Sequence, residues 1–284
     1  MEMKILTFDI EDWYHLLDIP ETSNPESWAS YTPRIHANVD LLLESIERHG
    51  HRATFFCLGW VAERYPEIIR SIDAAGFEIA SHTYSHQLAY KQTRHQFKVD
   101  VTRSIEILEN ITGKKVKCFR APGFSIISGM SWAFETLLDL GIEFDSSIFP
   151  AARSHGGFAD FGTAKPAIIE CKGMALKEFP ISLGNLFGRK IVFSGGGYFR
   201  LLPYHMIQWM AKQSDYMMTY FHPRDFDVGQ PMLHLPLHRS FKSYVGLKSA
   251  YSKFERLMAN HAFTDLRAAS AIVNWQDAPR VLIA

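Results

Sequence analysis

The chain has 284 residues, of which 47% are hydrophobic and 21% are charged, and its 30 Lys and Arg residues balance 30 Asp and Glu residues. This composition supplies enough apolar material for a core and excludes wholesale disorder. The formal net charge of zero argues against a general nucleic-acid binder, because such a protein needs a basic surface to displace counterions.

Short apolar runs alternate with helical patterns through the first two thirds of the chain. Strands are predicted, in chain order, at residues 5–8, 53–58, 77–80, 116–119, around 144, at 178–181 and at 216–221. Helices are predicted at 35–46, 66–75, 96–111, 131–140, 203–212 and 250–259, the first with Thr32 as its N-cap and Pro33 at its first position. This alternation predicts parallel βαβ units. Residues 149–177 have a weaker pattern and predict an irregular excursion.

The lack of a recognisable targeting signal and the pattern of cysteines predict a cytoplasmic protein. No secretory signal is recognised before Asp9, and no run approaches the ~18 apolar residues of a membrane span. Cys57, Cys118 and Cys171 form no CxxC pair, so we expect small buried side chains rather than disulfides or a zinc knuckle. A peripheral membrane association fits the same observations.

Polar side chains follow the predicted strands at their C-terminal ends. They are Asp9, His82, Arg120, Asp145 and His222. In parallel α/β barrels the active site lies at this rim, because the carboxyl ends of the strands meet there. Five polar positions at the same end of the strands therefore predict an active site.

Two groups of residues suggest a metal site. His82 and His86 are four residues apart and can face one point if the turn after the strand coils. Asp9, Glu11 and Asp12 crowd a strand end, where carboxylates repel one another unless a cation compensates. Two histidines and one aspartate would leave an open position for water, as catalytic zinc requires. The alternatives are unrelated loop histidines and, for the acidic cluster, a solvated acidic loop or carboxylates at the start of a helix.

Arg120 and His222 each suggest a catalytic role beside that site. Arg120 begins an Arg-Ala-Pro-Gly turn and can pair with a carboxylate, which would fix that carboxylate as an ionised base. His222 leaves an apolar strand, is held by Pro223, and is placed to donate a proton to a leaving group. Taken alone, each also fits a surface turn or an ordinary rim residue.

These motifs together resemble the polysaccharide deacetylase family, also called the NodB-homology group or carbohydrate esterase family 4. In order, they are Thr7-Phe8-Asp9, Ala53-Thr54-Phe55-Phe56, His82-Thr83-Tyr84-Ser85-His86, Arg120-Ala121-Pro122-Gly123 and Phe221-His222-Pro223. The resemblance covers residues 4–227. Residues 144–150 and 194–200 further resemble a subgroup found with exopolysaccharide and lipopolysaccharide biosynthesis.

The resemblance implies a fold and catalytic roles. The fold is an α/β distorted (β/α) barrel of the NodB-like type. Asp9 matches the catalytic base, Arg120 the residue that orients it, and His222 the catalytic acid. Asp145 lies near the place where the family has an acidic partner for that histidine.

The resemblance also implies a divalent metal, usually zinc, with cobalt, nickel or manganese as substitutes. His82 and His86 match two of its ligands. The family has two adjacent aspartates, whereas Ile10, Glu11 and Asp12 follow Asp9 here. We expect Asp12 to be the third ligand, because a shorter side chain at a turn is easier to hold rigid, with Glu11 as the alternative.

The predicted protein is a single domain, 1–284, with a deacetylase core at 4–227 and a C-terminal helical extension at 228–284. Its predicted activity is zinc-dependent hydrolysis of an N-acetyl group from a nucleotide-linked, lipid-linked or polymeric sugar. The setting would be the synthesis of O-antigen, capsule or exopolysaccharide. The alternatives are a cyclic amide or ureide hydrolase and a non-catalytic carbohydrate-binding barrel.

Two further features of the sequence, a group of aromatic residues and a basic stretch, each fit more than one interpretation. Trp13, Tyr14 and Trp60 near the rim can stack on sugar rings or lie buried in the core. The basic stretch after His234 can meet a pyrophosphate or an anionic membrane surface, or be a solvated helix face.

Overall fold

The fold is built on one eight-stranded sheet, seen in a computed structural model that describes residues 2–17, 19–153, 156–186 and 188–283. The strands are β1 Met3–Ile5, β2 Thr7–Ile10, β3 Thr54–Cys57, β4 Glu78–Ser81, β5 Cys118–Phe119, β6 Phe144–Asp145, β7 Ala167–Cys171, β8 Met174–Glu178, β9 Gly184–Leu186, β10 Arg189–Ile191, β11 Tyr216–Met218 and β12 Arg280–Leu282. The helices are α1 Pro25–Trp28, α2 Ile35–Arg48, α3 Gly59–Arg64, α4 Pro66–Ala74, α5 Arg94–Thr112, α6 Ser131–Asp139, α7 Gly196–Leu201, α8 Tyr204–Gln213, α9 Leu237–Tyr244, α10 Leu247–Asn260 and α11 Leu266–Ile272.

The sheet is mostly parallel, as predicted. Its order is β12-β7-β8-β6-β5-β4-β3-β2, and every pair is parallel except the β7–β8 hairpin. The register places Asp9 of β2 beside Phe56 of β3, and Ser81 of β4 beside Phe119 of β5. The residues that follow these strands therefore lie at one rim, which is the arrangement that the sequence predicts.

The sheet closes into a distorted barrel through β11. Strand β1 pairs with β11 in parallel, and beyond it the backbone N–H of Asp9 donates to the carbonyl of Phe221 over 2.8 Å. On the other side of β11, Met218 N–H donates to the Ser182 hydroxyl over 3.1 Å, and the Tyr216 hydroxyl donates to the carbonyl of Pro180 over 2.7 Å. Side-chain hydrogen bonds therefore replace a regular ladder on that side.

The predicted helices are present, with one difference at the start of α2. Val39, Leu42 and Ile46 of α2 are buried at helical spacing, as their pattern predicts. The N-cap is Arg34 rather than Thr32, and its side chain does not cap the helix. The carboxylate of Asp12 instead accepts the first N–H groups of the helix, as described below.

Three predicted segments differ from the sequence-based expectations. Residues 149–177 contain β7 and most of β8, so the prediction of an irregular excursion was wrong there. The strand predicted at 178–181 ends at Glu178, and the strand predicted at 5–8 divides at Leu6 into β1 and β2. The three cysteines are buried and free, as predicted.

The C-terminal segment packs on the barrel. Ala250, Phe254 and Leu257 of α10 enter the main hydrophobic core, and β12 extends the sheet beside β7. The proposed division into a core at 4–227 and an extension at 228–284 remains a prediction. Residues 1 and 284, at the ends of that domain, lie outside the described residues. Among the helices that the structure describes, none has the length and apolar character to cross a membrane.

Candidate metal centre and active site

Asp9 and Arg120 form a buried ion pair at the rim. Asp9 sits near the end of β2, and its Oδ1 accepts a hydrogen bond from Nη1 of Arg120 over 2.7 Å. Arg120 is fully buried, and its guanidinium also donates to the Thr7 hydroxyl over 2.8 Å and to the Ser146 hydroxyl over 3.0 Å. Its charge lies 4.1 Å from the centre of the Phe56 ring. These contacts fix one oxygen of Asp9 and leave Oδ2 directed into the site.

Glu11, His82 and His86 lie together beside this pair. Oε1 of Glu11 is 3.1 Å from Nε2 of His82 and 2.9 Å from Nε2 of His86. All three side chains are buried. Nδ1 of His82 is 2.8 Å from the carbonyl of Arg120, which can only accept a hydrogen bond. Nδ1 of His82 therefore carries a proton, and in the neutral ring Nε2 presents a lone pair to Glu11.

The backbone before His86 is bent so that its ring returns to this point. Thr83 and His86 have positive φ angles of 66° and 55°, which residues other than glycine rarely adopt. The Thr83 hydroxyl accepts the N–H of His86 over 3.2 Å and supports this turn. Among the described residues, Nε2 of His86 is buried without a hydrogen-bond partner. Strain of this kind is found where a functional geometry is maintained.

These three residues fit a divalent cation. One oxygen and two imidazole nitrogens lie within 4.8 Å of one another. Ligands of a tetrahedral zinc site, at ~2.0–2.1 Å from the ion, lie roughly 3.3 Å apart, close to the 2.9 and 3.1 Å between Glu11 and the histidines. Two histidines and one glutamate are also a known ligand set of catalytic zinc. The unpaired nitrogen of His86 gains a partner when a cation binds.

Asp12 does not belong to this group, contrary to the expectation that it supplies the third ligand. Its Oδ2 accepts the backbone N–H groups of Arg34 over 2.9 Å and Ile35 over 3.2 Å, and its Oδ1 accepts that of Trp13 over 2.7 Å. Asp12 therefore caps α2. The longer Glu11 side chain, named as the alternative, is the one that reaches both histidines.

Burial and nearby charges act on the Glu11 carboxyl in opposite directions. Burial raises its pKa, but the neighbouring imidazoles of His86, His222 and His82 lower it and outweigh burial. The net pKa of Glu11 lies well below its usual range, so the side chain is a carboxylate.

His222 lies near Oδ2 of Asp9, the oxygen that does not bond Arg120. Its Nε2 lies 3.8 Å from Oδ2 of Asp9 and 4.0 Å from Oε1 of Glu11, and its side chain is 23% exposed. Its Nδ1 lies 3.0 Å from Oδ2 of Asp225. Burial lowers the pKa of His222, but the carboxylates of Glu11 and Asp225 outweigh this and raise the pKa to about 9. His222 is therefore a proton donor at neutral pH.

Asp225 and Arg200 hold His222 in place. Asp225 accepts the backbone N–H of His222 over 2.9 Å, and its Oδ1 lies 3.2 Å from Nε of Arg200. Burial raises the pKa of Asp225, but the charges of Arg200 and His222 lower it overall to about 2. The acidic partner of His222 is thus Asp225, three residues along the chain, and not Asp145.

Two family profiles divide the chain between them. Residues 5–136 match polysaccharide deacetylase, and residues 146–271 match a domain of unknown function (DUF3473). Residues 5–136, a little under half of the chain, therefore carry the polysaccharide deacetylase match.

Curated relatives and a solved structure agree with this assignment. The chain is 30% identical over 123 residues to a peptidoglycan-N-acetylglucosamine deacetylase of Bacillus cereus, covering 43% of this chain and 42% of that protein. It is 32% identical over 80 residues to a chitooligosaccharide deacetylase of Azorhizobium caulinodans, covering 28% and 38%. The chain thus spans about two fifths of these relatives.

The fold is shared over nearly the whole chain. A crystal structure from Mycobacterium smegmatis, classed with the polysaccharide deacetylases, superposes with a TM-score of 0.67 at 20% identity. That match covers 99% of this chain and 93% of the other. The distorted barrel predicted from the sequence is confirmed.

Asp145 directly precedes Ser146, which accepts hydrogen bonds from Arg120, and it is not among the described ion-pair partners of His222. Its Oδ1 accepts the Ser147 hydroxyl over 2.6 Å, and both Asp145 and Glu178 are fully buried. Burial raises the pKa of both carboxyls, and the charge of Asp145 raises that of Glu178 further. Both carboxyls are therefore shifted toward the neutral form, Glu178 more strongly than Asp145.

The aromatic residues near the rim of the barrel belong to its core. Trp13, Tyr14 and Trp60 are all buried, so of the two alternatives that the sequence left open, burial in the core is the one observed. The ring of Trp60 packs edge-on against that of His15, with ring centres 5.5 Å apart. Tyr14 stacks on Tyr31, with ring centres 5.2 Å apart.

A cavity of about 380 Å³ opens next to His86, one of the candidate metal ligands. It is lined mainly by apolar side chains, with a few polar ones; these include Leu16, Leu17, Ile19, Trp28, Gln87 and Leu88. A pocket of this size beside the candidate metal centre has room for a sugar or its aglycone.

Two residues of the site were not anticipated. Asp225 forms a capping arrangement with His222, and a His-Pro-x-Asp sequence at a strand end is a local signal that could have revealed it. Arg200 lies on α7, 25 residues before Asp225. It belongs to the segment 194–200, whose only sequence signal is its resemblance to the polysaccharide-biosynthesis subgroup. No local pattern links it to His222.

Proposed function

We propose that this chain removes an N-acetyl group from a sugar by metal-assisted hydrolysis. The observation that carries the proposal is the grouping of Glu11, His82 and His86 between two supported side chains, Asp9 and His222. His222 lies within about 4 Å of both Asp9 and Glu11. A base, an acid and a cation site at such distances can together hydrolyse an amide.

Glu11, His82 and His86 would hold the cation, zinc by preference, in agreement with the zinc prediction. Zinc in such a site supplies a Lewis acid that polarises a carbonyl oxygen and lowers the pKa of a bound water toward ~7. Cobalt, nickel or manganese are the expected substitutes. Because only three protein ligands are supplied, room remains for water and substrate.

Asp9 would act as the base. Arg120 orients it through Oδ1, and Oδ2 faces His222 across a gap of 3.8 Å. This oxygen would take the proton of the water as the water oxygen attacks the acetyl carbonyl carbon. The buried Arg120 keeps the Asp9 carboxylate from rotating away.

His222 would act as the acid. Its Nδ1 proton is held by Asp225, so Nε2 carries the proton that points toward Asp9 and Glu11. This proton would pass to the sugar nitrogen as the C–N bond breaks, which releases acetate and an amino sugar. Amines are poor leaving groups until they are protonated, so the raised pKa of His222 suits this step.

For the substrate, we propose a nucleotide-linked, lipid-linked or polymeric N-acetylated sugar of envelope polysaccharide assembly, met in the cytoplasm. The support is the likeness to deacetylases named for peptidoglycan and chitooligosaccharides, together with the subgroup motifs at 144–150 and 194–200.

The test is Asp9→Asn assayed beside the wild type, with acetate release measured over a panel of N-acetylated sugar donors and metal content measured on the same samples. We expect the variant to keep its metal and lose turnover by at least ~10²-fold, the scale of general base catalysis. A near-native rate would remove Asp9 as the base. Full turnover by metal-stripped wild type on a cyclic amide would instead favour the alternative hydrolase.

A further inference from the structure

We propose that helix α9, with the segment leading into it, binds the surface of an anionic lipid membrane. Helix α9, Leu237–Tyr244, contains no buried residue. Leu237 is 90% exposed and Phe241 is 57% exposed, and because they are four residues apart they lie on one face. Met232, just before the helix, is 66% exposed. Large apolar side chains grouped in this way mark a surface that contacts something else.

The same surface is basic. Residues 228–254 contain no Asp or Glu, and of their four Lys and Arg residues Lys242 and Lys248 are exposed, whereas the other two donate to backbone carbonyls. His238 and Lys242 follow Leu237 and Phe241 by one position each and are exposed, so they border the apolar pair. Among the described residues, neither Lys242 nor Lys248 makes an ion pair, so their charges are available to a ligand.

This combination favours a lipid surface over a second copy of the chain. A helix with apolar and basic side chains side by side lies at the boundary between anionic headgroups and acyl chains. A twofold dimer through the same patch would place Lys242 and His238 of one copy near those of the other. The resulting repulsion has no acidic residue within 228–254 to relieve it.

The inner side of α9 is tied to the active site. Arg239 donates to the carbonyl of Leu17, in the loop that lines the cavity, over 2.6 Å. Arg200 donates to the carbonyls of Lys242 and Ser243 at the end of α9, and the same guanidinium pairs with Asp225. A membrane under α9 would therefore lie close to both the cavity and the support of the catalytic acid. The membrane contact itself does not depend on the proposed deacetylase activity.

The experiment is co-sedimentation of the full chain with vesicles of phosphatidylcholine alone and of phosphatidylcholine mixed with phosphatidylglycerol. We expect binding to the mixed vesicles that weakens as salt is raised. In Lys242→Glu/Lys248→Glu, two basic contacts of roughly fivefold each are lost, so binding should fall at least ~20-fold. Leu237→Asn/Phe241→Asn should also reduce binding.

Matched controls separate these effects from misfolding. Val99→Asn replaces an apolar side chain of α5 that is similarly exposed, and Lys165→Glu reverses an exposed charge elsewhere. Both should bind vesicles like the wild type, and all variants should keep the wild-type circular dichroism and melting temperature. The proposal is overturned by equal binding to both vesicle types, by no binding, or by a dimer in sedimentation analysis that Leu237→Asn/Phe241→Asn abolishes.

Discussion

Replacing Glu11 by Gln should abolish metal binding, whereas replacing the adjacent Asp12 by Asn should leave the metal in place and lower stability. Glu11 supplies the only carboxylate oxygen within reach of both His82 and His86 in the described residues. Loss of an outer-shell partner alone costs ~10–100-fold in metal affinity, so loss of a ligand should cost more.

The cost of the Asp12 substitution follows from its three hydrogen bonds. The two oxygens of Asp12 accept N–H groups of Trp13, Arg34 and Ile35. Asparagine has one acceptor oxygen, so at least one of these groups is left unpaired, at ~1–3 kcal/mol each. We expect a loss of about 2 kcal/mol, which corresponds to a fall of roughly 4–8 °C in melting temperature.

The assay is metal analysis by mass spectrometry after dialysis against zinc, paired with thermal unfolding of chelator-treated protein. Glu21→Gln, an exposed substitution in the loop after Asp12, is the matched control and should change neither quantity. The reasoning fails if Glu11→Gln keeps a full complement of zinc, or if Asp12→Asn loses it at wild-type stability.

Three other predictions concern charge and pH. Asp225→Asn removes a carboxylate that raises the pKa of His222, so the alkaline fall in kcat should move to lower pH by ~1–2 units; an unmoved limb would remove His222 as the acid. Arg120→Lys should leave Asp9 less well held, with kcat reduced more than KM and unfolding easier by ~2–5 kcal/mol in urea; a change confined to KM would contradict the positioning role. His261 has its pKa lowered to about 4 by burial and nearby lysines, so it destabilises the fold as pH falls from ~6.5 toward 4. His261→Gln should recover about 1 kcal/mol at pH 4.5 and nothing at pH 8, and equal effects at both would refute this.

The sequence predicts the site where local patterns decide it. Apolar runs that end in Asp9, His82 and Arg120 fix both the strands and the rim, because side chains after parallel strands converge. The choice between Glu11 and Asp12 could not be made this way. It depends on the position of the first turn of α2, more than 20 residues later, which needs an acceptor for its free N–H groups.

Other elements were missed because their signal is weak or distant. The β7–β8 hairpin turns at Lys172 and Gly173, both with positive φ, and a glycine in such a turn between two apolar segments was a usable hairpin signal. Strand β12 is short and mostly exposed, and only its pairing with β7 defines it. The link from Arg200 to Asp225 arises from tertiary packing alone.

The seam between β2 and the chain after β11 has a consequence for folding. The backbones of Asp9 and Phe221 are hydrogen-bonded across this seam, although the two residues lie far apart along the chain. Contacts so far apart in sequence form slowly, because a long loop must close before they can contribute. Asp9 and His222 can therefore meet only in molecules whose two halves have already docked, and the proposed hydrolytic activity should be among the last properties that a refolding chain recovers.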